Sequence, residues 1–205
     1  MKQFALFIML LAAALVITAC AGSTLLDDAF PQDLKTENGG NKTTFIHADW
    51  PYYHTAKEII DASSYIFAGT VTDIYFEIVD LKTGKADRDA DSQSTSRAIQ
   101  TVYTIEISKT YKGNERSAVK LCAEGGINGY KEAEQNELLR SAGLIKPDSD
   151  NIVICDAAGI TLEPGREYLF CTYRGIGDFD FIVNATQFAF SLDSYNAKII
   201  LDALK

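Results

Sequence analysis

The sequence predicts a mainly β fold, β with short helices, and three observations point to it. The hydrophobic period changes from 3.6 to 2 near Tyr65 and returns to helical spacing only in short stretches. Clusters of Gly, Pro, Asn and Asp separate the alternating runs. At 205 residues the chain is long enough for one domain with a sizeable core and short for two.

The folded domain is expected over residues 45–205. His47-Ala48-Asp49-Trp50-Pro51-Tyr52-Tyr53 leads into a short helix with Ala56, Ile59, Ile60 and Ser63 turned inward. Thr55 is placed as its N-cap, and Glu58 three residues on completes a capping box. Tyr65 to Val79 is a long β-rich run, and Gly69 within it marks a bulge where a strand can coil around a barrel. Leu81 to Ala98, with its spaced aspartates and Ser/Thr cluster, reads as a long, mobile hairpin loop. Val102 to Lys109 alternates, with Tyr103, Ile105 and Ile107 on one face and Thr104, Glu106 and Ser108 on the other. Tyr111-Lys112-Gly113-Asn114 closes that strand as a turn, and a third strand, Ala118 to Cys122, stops at Gly125-Gly126.

Residues 129 to 143 leave the strand pattern. Leu138, Leu139 and Ala142 follow helical spacing, and Gly143 is placed as the stop. Asn151 to Cys155 is a short apolar strand at the edge of this insertion. Leu162-Glu163-Pro164-Gly165 is a turn by composition, followed by a strand from Tyr168 to Tyr173. Phe179 to Val183 and Gln187 to Leu192 supply the last pairing. Ser194 then caps a C-terminal helix with Ala197, Ile200, Leu201 and Leu204 on one face. These elements follow the plan of a five-stranded, OB-fold-like Greek-key barrel with an inserted helix and a C-terminal helix.

The beginning of the chain carries a different signal. Lys2 is followed by unbroken apolar sequence from Phe4 to Ile17 and then by Ile17-Thr18-Ala19-Cys20, the pattern of a bacterial lipobox. The apolar run is shorter than the roughly 20 residues a membrane-crossing helix needs, so residues 1–19 read as a cleaved signal peptide. Cys20 would then carry a diacylglyceryl group, whose two chains anchor stably at about 0.8 kcal/mol per buried methylene. An ordinary signal ending at Ala19 is the alternative, and either one places the remainder outside the cytoplasm. Residues 20–44 have few large apolar groups after Leu26 and read as a flexible tether, spanning on the order of 25 to 30 Å for about 24 residues.

The net charge is −9, and the signal contributes only Lys2, so the mature form is one unit more negative. With no basic stripe, nucleic acid is an unsuitable partner. Beyond Cys20, the cysteines Cys122, Cys155 and Cys171 are too far apart for a zinc ribbon and allow at most one internal disulfide. Cys171 shares a strand face with Leu169 and Tyr173, which favours buried inert thiols; a Cys122–Cys155 or Cys155–Cys171 bridge is the alternative.

Several groups are candidates for chemistry. His47, Asp49 and His54 form the best metal-ligand set, yet their position ahead of the first helix suits surface or capping roles better. Asp87, Asp89 and Asp91 begin like a calcium loop that then fails, with Ser92 in the glycine position and Ala98 in that of the bidentate glutamate. Trp50, Tyr52 and Tyr53 around Pro51 could form an aromatic platform for ligand stacking, or could seal one end of a barrel. Gly125-Gly126-Ile127-Asn128-Gly129 lacks the Gly-Lys-Ser/Thr ending of a phosphate loop and reads as a close backbone crossing. Glu163, Glu167, Asp178 and Asp180 are the carboxylates available for acid/base work, although carboxylates at turns are usually solvated. No cofactor, no catalytic residue and no enzymatic activity are expected from these patterns.

The runs Ala62–Ile74, Tyr103–Ile107 with Tyr111-Lys112-Gly113, Gly125-Gly126, and Leu162–Phe170, taken in that order, resemble a group of uncharacterised bacterial surface lipoproteins. Their OB-fold is similar to the inhibitory domain of tissue inhibitors of metalloproteinases. The resemblance covers roughly residues 50 to 193. It implies a fold and a location without an assigned activity. The animal inhibitors present a disulfide-tied N-terminal cysteine to a protease zinc. Here Cys20 is lipid-modified by expectation, and no Cys-x-Cys follows it, so that mechanism does not carry over.

The expected role is that of a binding module, lipid-anchored at the extracytoplasmic face of the cell membrane, with a protein or cell-wall polymer as partner. Leu81 to Ala98 and Ile127 to Asp150 are its expected working loops. A loop-mediated protease inhibitor is the alternative, and a wall-related enzyme a third. Globomycin treatment of cells is expected to leave uncleaved precursor, and Cys20→Ala to lose the lipid mass by mass spectrometry. Unchanged processing would remove the anchor from this reading.

Overall fold

A 16-residue strand paired on both sides organises the molecule. The computed structural model describes residues 42–46, 50–86, 96–148, 152–156, 159–175 and 177–205, the first and fourth of these as backbone only. The expected signal, Cys20 and most of the tether lie outside the described residues. The elements in order are β1 (Lys42–Ile46), α1 (Ala56–Ala62), β2 (Tyr65–Asp80), β3 (Lys85–Ala86), β4 (Arg97–Lys112), β5 (Ala118–Glu124), α2 (Glu132–Ser141), β6 (Ile152–Asp156), β7 (Glu167–Arg174), β8 (Asp180–Ile182), β9 (Ala189–Ser191) and α3 (Tyr195–Ala203). Among the described residues the fold is mainly β with three short helices, and no helix there is long and apolar enough to cross a membrane.

The main sheet runs β3-β2-β4-β5-β8-β7-β9, and β7 also pairs with β2. Strands β2, β4, β5, β8 and β7 therefore close a ring, in which β5 and β8 are parallel and the other neighbours antiparallel. The first part of β2, Tyr65 to Thr70, bonds to β7 on one side while Ile66 onward bonds to β4 on the other. Register shifts in the β2–β4 ladder fall at Ile66/Phe67, Ala68/Gly69 and Val71/Asp73, so the extra twist is concentrated where the ring closes. Gly69 is required there for space. A Cβ on it would lie 2.7 Å from the Glu106 carbonyl oxygen and 2.7 Å from Ile105 Cγ2.

Side chains alternate across the ring wall. Phe67, Val71, Tyr103, Ile105, Leu121 and Leu169 belong to the main core, with Phe67 stacked on Phe170 at 5.1 Å. Val79, Val102, Cys122 and Phe179 form a separate small cluster. A third cluster, Phe76, Ile78 and Ile99, is covered by Leu139 of α2. Helix α1 carries the expected capping box, with Glu58 N donating to Thr55 Oγ1 at 3.2 Å and Thr55 N to Glu58 Oε2 at 3.2 Å. Ser194 caps α3, whose Ala197 and Ile200 are buried.

The structure departs from the sequence reading in several places. Phe179–Val183 and Gln187–Leu192 do not pair with each other: β8 and β9 each pair with β7, and β8 also with β5. Tyr111 and Lys112 belong to β4 rather than to a turn, because Ile66 and Phe67 extend the β2–β4 ladder to Lys112 and Thr110. The expected loop from Leu81 to Ala98 is shorter, since Lys85–Ala86 adds to the edge of β2 and β4 already starts at Arg97. The expected tether loses Lys42 to Thr44 to β1, which pairs in parallel with β6 of the insertion. Tyr173 shares a strand face with Cys171 but lies beyond the core, 41 % exposed against 0 % for the thiol.

Cys122 and Cys171 are both free and buried, so neither proposed bridge to Cys155 forms. Burial pushes the Cys171 thiol up to about 12 and the Cys122 thiol further up, which keeps both protonated and inert. Gly69→Ala is expected to destabilise the fold by about 1–3 kcal/mol through overpacking at the ring closure. The check is a lowered urea midpoint; an unchanged midpoint would show that the strand has room to shift.

Candidate functional site

The ring wall carries a row of side chains that runs across four strands. Val102 of β4 is opposite Cys122 of β5, Cys122 is beside Phe181 of β8, and Phe181 is opposite Tyr173 of β7. One step along, Gln100 of β4 is opposite Glu124 of β5. Since strand residues alternate between faces, Leu121 enters the main core while its neighbour Cys122 joins the small separate cluster. Beside this row is a cleft of about 330 Å³, lined by Trp50, Leu81, Gly84, Gln100, Cys122, Glu124, Tyr173, Arg174, Gly175, Phe181 and Ile182.

Two turns form its walls. In the β2–β3 turn, Asp80 holds the chain by accepting from Gly84 N at 2.7 Å through its carbonyl and from Lys82 N at 2.9 Å through its carboxylate. In the β7–β8 connection, Gly175 lies directly on the Phe181 ring, where a Cβ would be 2.3 Å from two ring carbons. Gly177 has φ +88° and touches the first turn: a Cβ there would lie 2.4 Å from the Gly84 carbonyl oxygen. The connection is thus shaped by two glycines into a wall that meets the β2–β3 turn.

Phe181 stacks on Tyr173 with ring centroids 5.9 Å apart and planes 19° apart, fixing the orientation of the exposed tyrosine. Burial, and then the Glu124 charge, raise the Tyr173 phenol, so the ring stays neutral beside that carboxylate. Trp50 is half-buried against the main core and borders the cleft. A buried amide network holds the segment after it. Gln187 accepts from Tyr53 N at 2.8 Å and donates to Tyr53 O at 2.8 Å, while Asn184 donates to Pro51 O at 2.9 Å and to Gln187 Oε1 at 2.7 Å. Asn184 Oδ1 accepts in turn from Thr186 N and Gln187 N, leaving both buried amides well used.

The expected aromatic platform is therefore divided. Trp50 lines the cleft, Tyr53 packs against the core, and Tyr52 stands 37 % exposed with its ring edge-on to His54 at 5.0 Å. His54 is exposed, and its backbone N donates to Glu58 Oε2 at 2.7 Å in the helix cap. His47, Asp49, Asp87, Asp89 and Asp91 lie outside the described residues. No group of metal-holding His, Cys, Asp and Glu occurs among the described ones. The four carboxylates do not converge on a shared site: Glu163 pairs with Arg166 at 3.4 Å, Glu167 accepts from Ser108 Oγ, Asp178 is exposed, and Asp180 pairs with Arg116 at 2.8 Å.

Of the two expected working loops, the first reaches the cleft through Leu81 and Gly84. None of the described residues of the second lines it, since α2 instead buries Leu139 against Phe76, Ile78 and Ile99. Of the β7–β8 connection, Asp178 was expected as a candidate carboxylate, but Gly175 and Gly177 were not expected at the cleft. Its sequence signal was present: Gly175 and Gly177 stand two apart between two strands, where close backbone approach is common.

Next to the cleft wall, Arg116 reaches buried Asp180 and lies over the Tyr65 ring at 4.8 Å. Burial is the largest influence on Asp180 and raises its carboxyl, against the lowering effect of Arg116. A folded pKa above the unfolded one means that the fold binds the proton more tightly. The charged form therefore costs stability at neutral pH, and the cost is relieved as pH falls through the folded value. Arg116→Gln would leave that carboxylate without its ion-pair partner and is expected to cost about 2 kcal/mol at neutral pH, on the low side because Arg116 keeps 28 % exposure. The loss should shrink towards about pH 4 as Asp180 takes up its proton. Urea titrations at both pH values check this, and a pH-independent loss would overturn it. No family model and no curated protein matches the sequence, so the use of the cleft rests on its own chemistry.

Proposed function

We propose that this chain is an OB-fold-like binding module, anchored through a diacylglyceryl group on Cys20 to the extracytoplasmic face of a cell membrane, and that its ligand binds in the cleft. The ring order supports the barrel type. Taken in chain order, the five ring strands are arranged 1-2-3-5-4 with the fifth strand parallel to the third, and α2 falls between the third and fourth. Barrels of that plan use the face of their second and third strands, together with the first-to-second and fourth-to-fifth connections, to bind ligands.

The observation that carries the proposal is the place of the cleft. Gln100, Cys122 and Glu124 come from the second and third ring strands, Leu81 and Gly84 from the first connection, and Gly175 from the last. The lipobox, the acidic chain and the resemblance to surface lipoproteins support the location and argue against a nucleic-acid ligand.

A photo-cross-linking residue at Leu81, which is 47 % exposed on the cleft rim, tests the reading in native membranes. The same residue at Tyr195, 59 % exposed on α3, is the control. A discrete adduct is expected from position 81, with none from position 195, and Tyr173→Ala should reduce its yield several-fold. Equal adducts at both positions, or none at position 81, would overturn the assignment of the cleft.

A further inference from the structure

We infer that the cleft takes a neutral glycan, with a pyranose ring lying on Tyr173 and flanked by Trp50; this rests on the reading of the cleft as the ligand site. The first ground is the tyrosine itself. Tyr173 is 41 % exposed at the cleft while its ring is held in place by stacking on Phe181. A large, flat aromatic surface that is already oriented costs little conformational entropy to use. The apolar C–H face of a pyranose matches such a surface, and its hydroxyls point outward to the rim.

The second ground is charge. Among the described residues the cleft lining has one cation, Arg174, and one anion, Glu124, with Gln100 of β4, whose amide Nε2 donates to Ile99 O at 3.0 Å, beside them. A phosphate-rich or nucleic-acid ligand needs a cluster of cations, and the chain as a whole stands at −9. Hydroxyl groups both donate and accept, so they suit a lining that offers a guanidinium, a carboxylate and an amide together. The third ground is size. A volume of about 330 Å³ lies at the small end of ligand sites and is open along the wall, which fits one ring and part of the next in a chain.

Trp50 is the only tryptophan in the chain and lines the cleft, so its fluorescence is a probe of that site. Full-length protein in detergent would be titrated with cellotetraose, chitotetraose and soluble glycan strands released from bacterial cell wall, each up to about 10 mM. A saturable change in Trp50 emission with at least one of them is expected, half-complete near or below about 1 mM. Tyr173→Ala should weaken it about tenfold or more, Tyr173→Phe should retain it because the ring remains, and Tyr52→Ala should leave it unchanged. Silence from all three glycans, or Tyr173→Ala binding as the parent does, would overturn the inference. If glycans are silent while the Leu81 photoadduct persists, the glycan assignment alone falls; if both are lost, the cleft reading falls with it.

Discussion

The structure depends on β2 being hydrogen-bonded along both edges at once. From Ile66 to Thr70 the same residues bond to β4 and to β7, which turns an open sheet into a ring. A strand can do this only if it coils sharply, and the register shifts around Gly69 supply the coil. Phe67, at this closure, is fully buried on Phe170 across the β2–β7 pair, so the ladder and the main core support each other. Burying one such side chain contributes about 1.5–3 kcal/mol.

Closure in turn determines what the outside of the wall can present. The alternation that sends Leu121 into the core sends Cys122 the other way, and the parallel β5–β8 pair places Phe181 beside it. Tyr173 then comes into position through the β7–β8 pair, at the end of a strand whose middle is wholly buried. The cleft is thus a product of register. Moving any of these strands by one residue would exchange core and cleft residues.

Much of this was legible locally. The capping box of α1, the bulge at Gly69, the inserted and C-terminal helices and the alternation of β4 all follow from short-range patterns in which spacing dictates geometry. What the pattern misassigned was pairing: β8 and β9 are short apolar runs with a turn between them, and nothing local says that both bind β7 instead of each other. Trp50 was legible as part of an aromatic cluster suited to ligand stacking or to sealing a barrel end, and the role of Tyr173 was not, because it appears only once Phe181 lies across from it. The buried amides Asn184 and Gln187 gave no signal either, since the backbone groups of Pro51 and Tyr53 that they hold are more than a hundred positions away.

That last separation bears on how the chain comes into being. Pro51 and Tyr53, near the start of the domain, are held by groups 133 and 134 residues further on, and β2 waits for β7 to close its second edge. A chain emerging from its N-terminus can form the β2–β4 hairpin early, yet it cannot latch Pro51 and Tyr53 until Asn184 and Gln187 have been made. Long-range closure of this kind slows folding. Completion of the fold therefore waits on Asn184 and Gln187, and the β2–β4 hairpin alone leaves the segment around Pro51 and Tyr53 unlatched until they are in place.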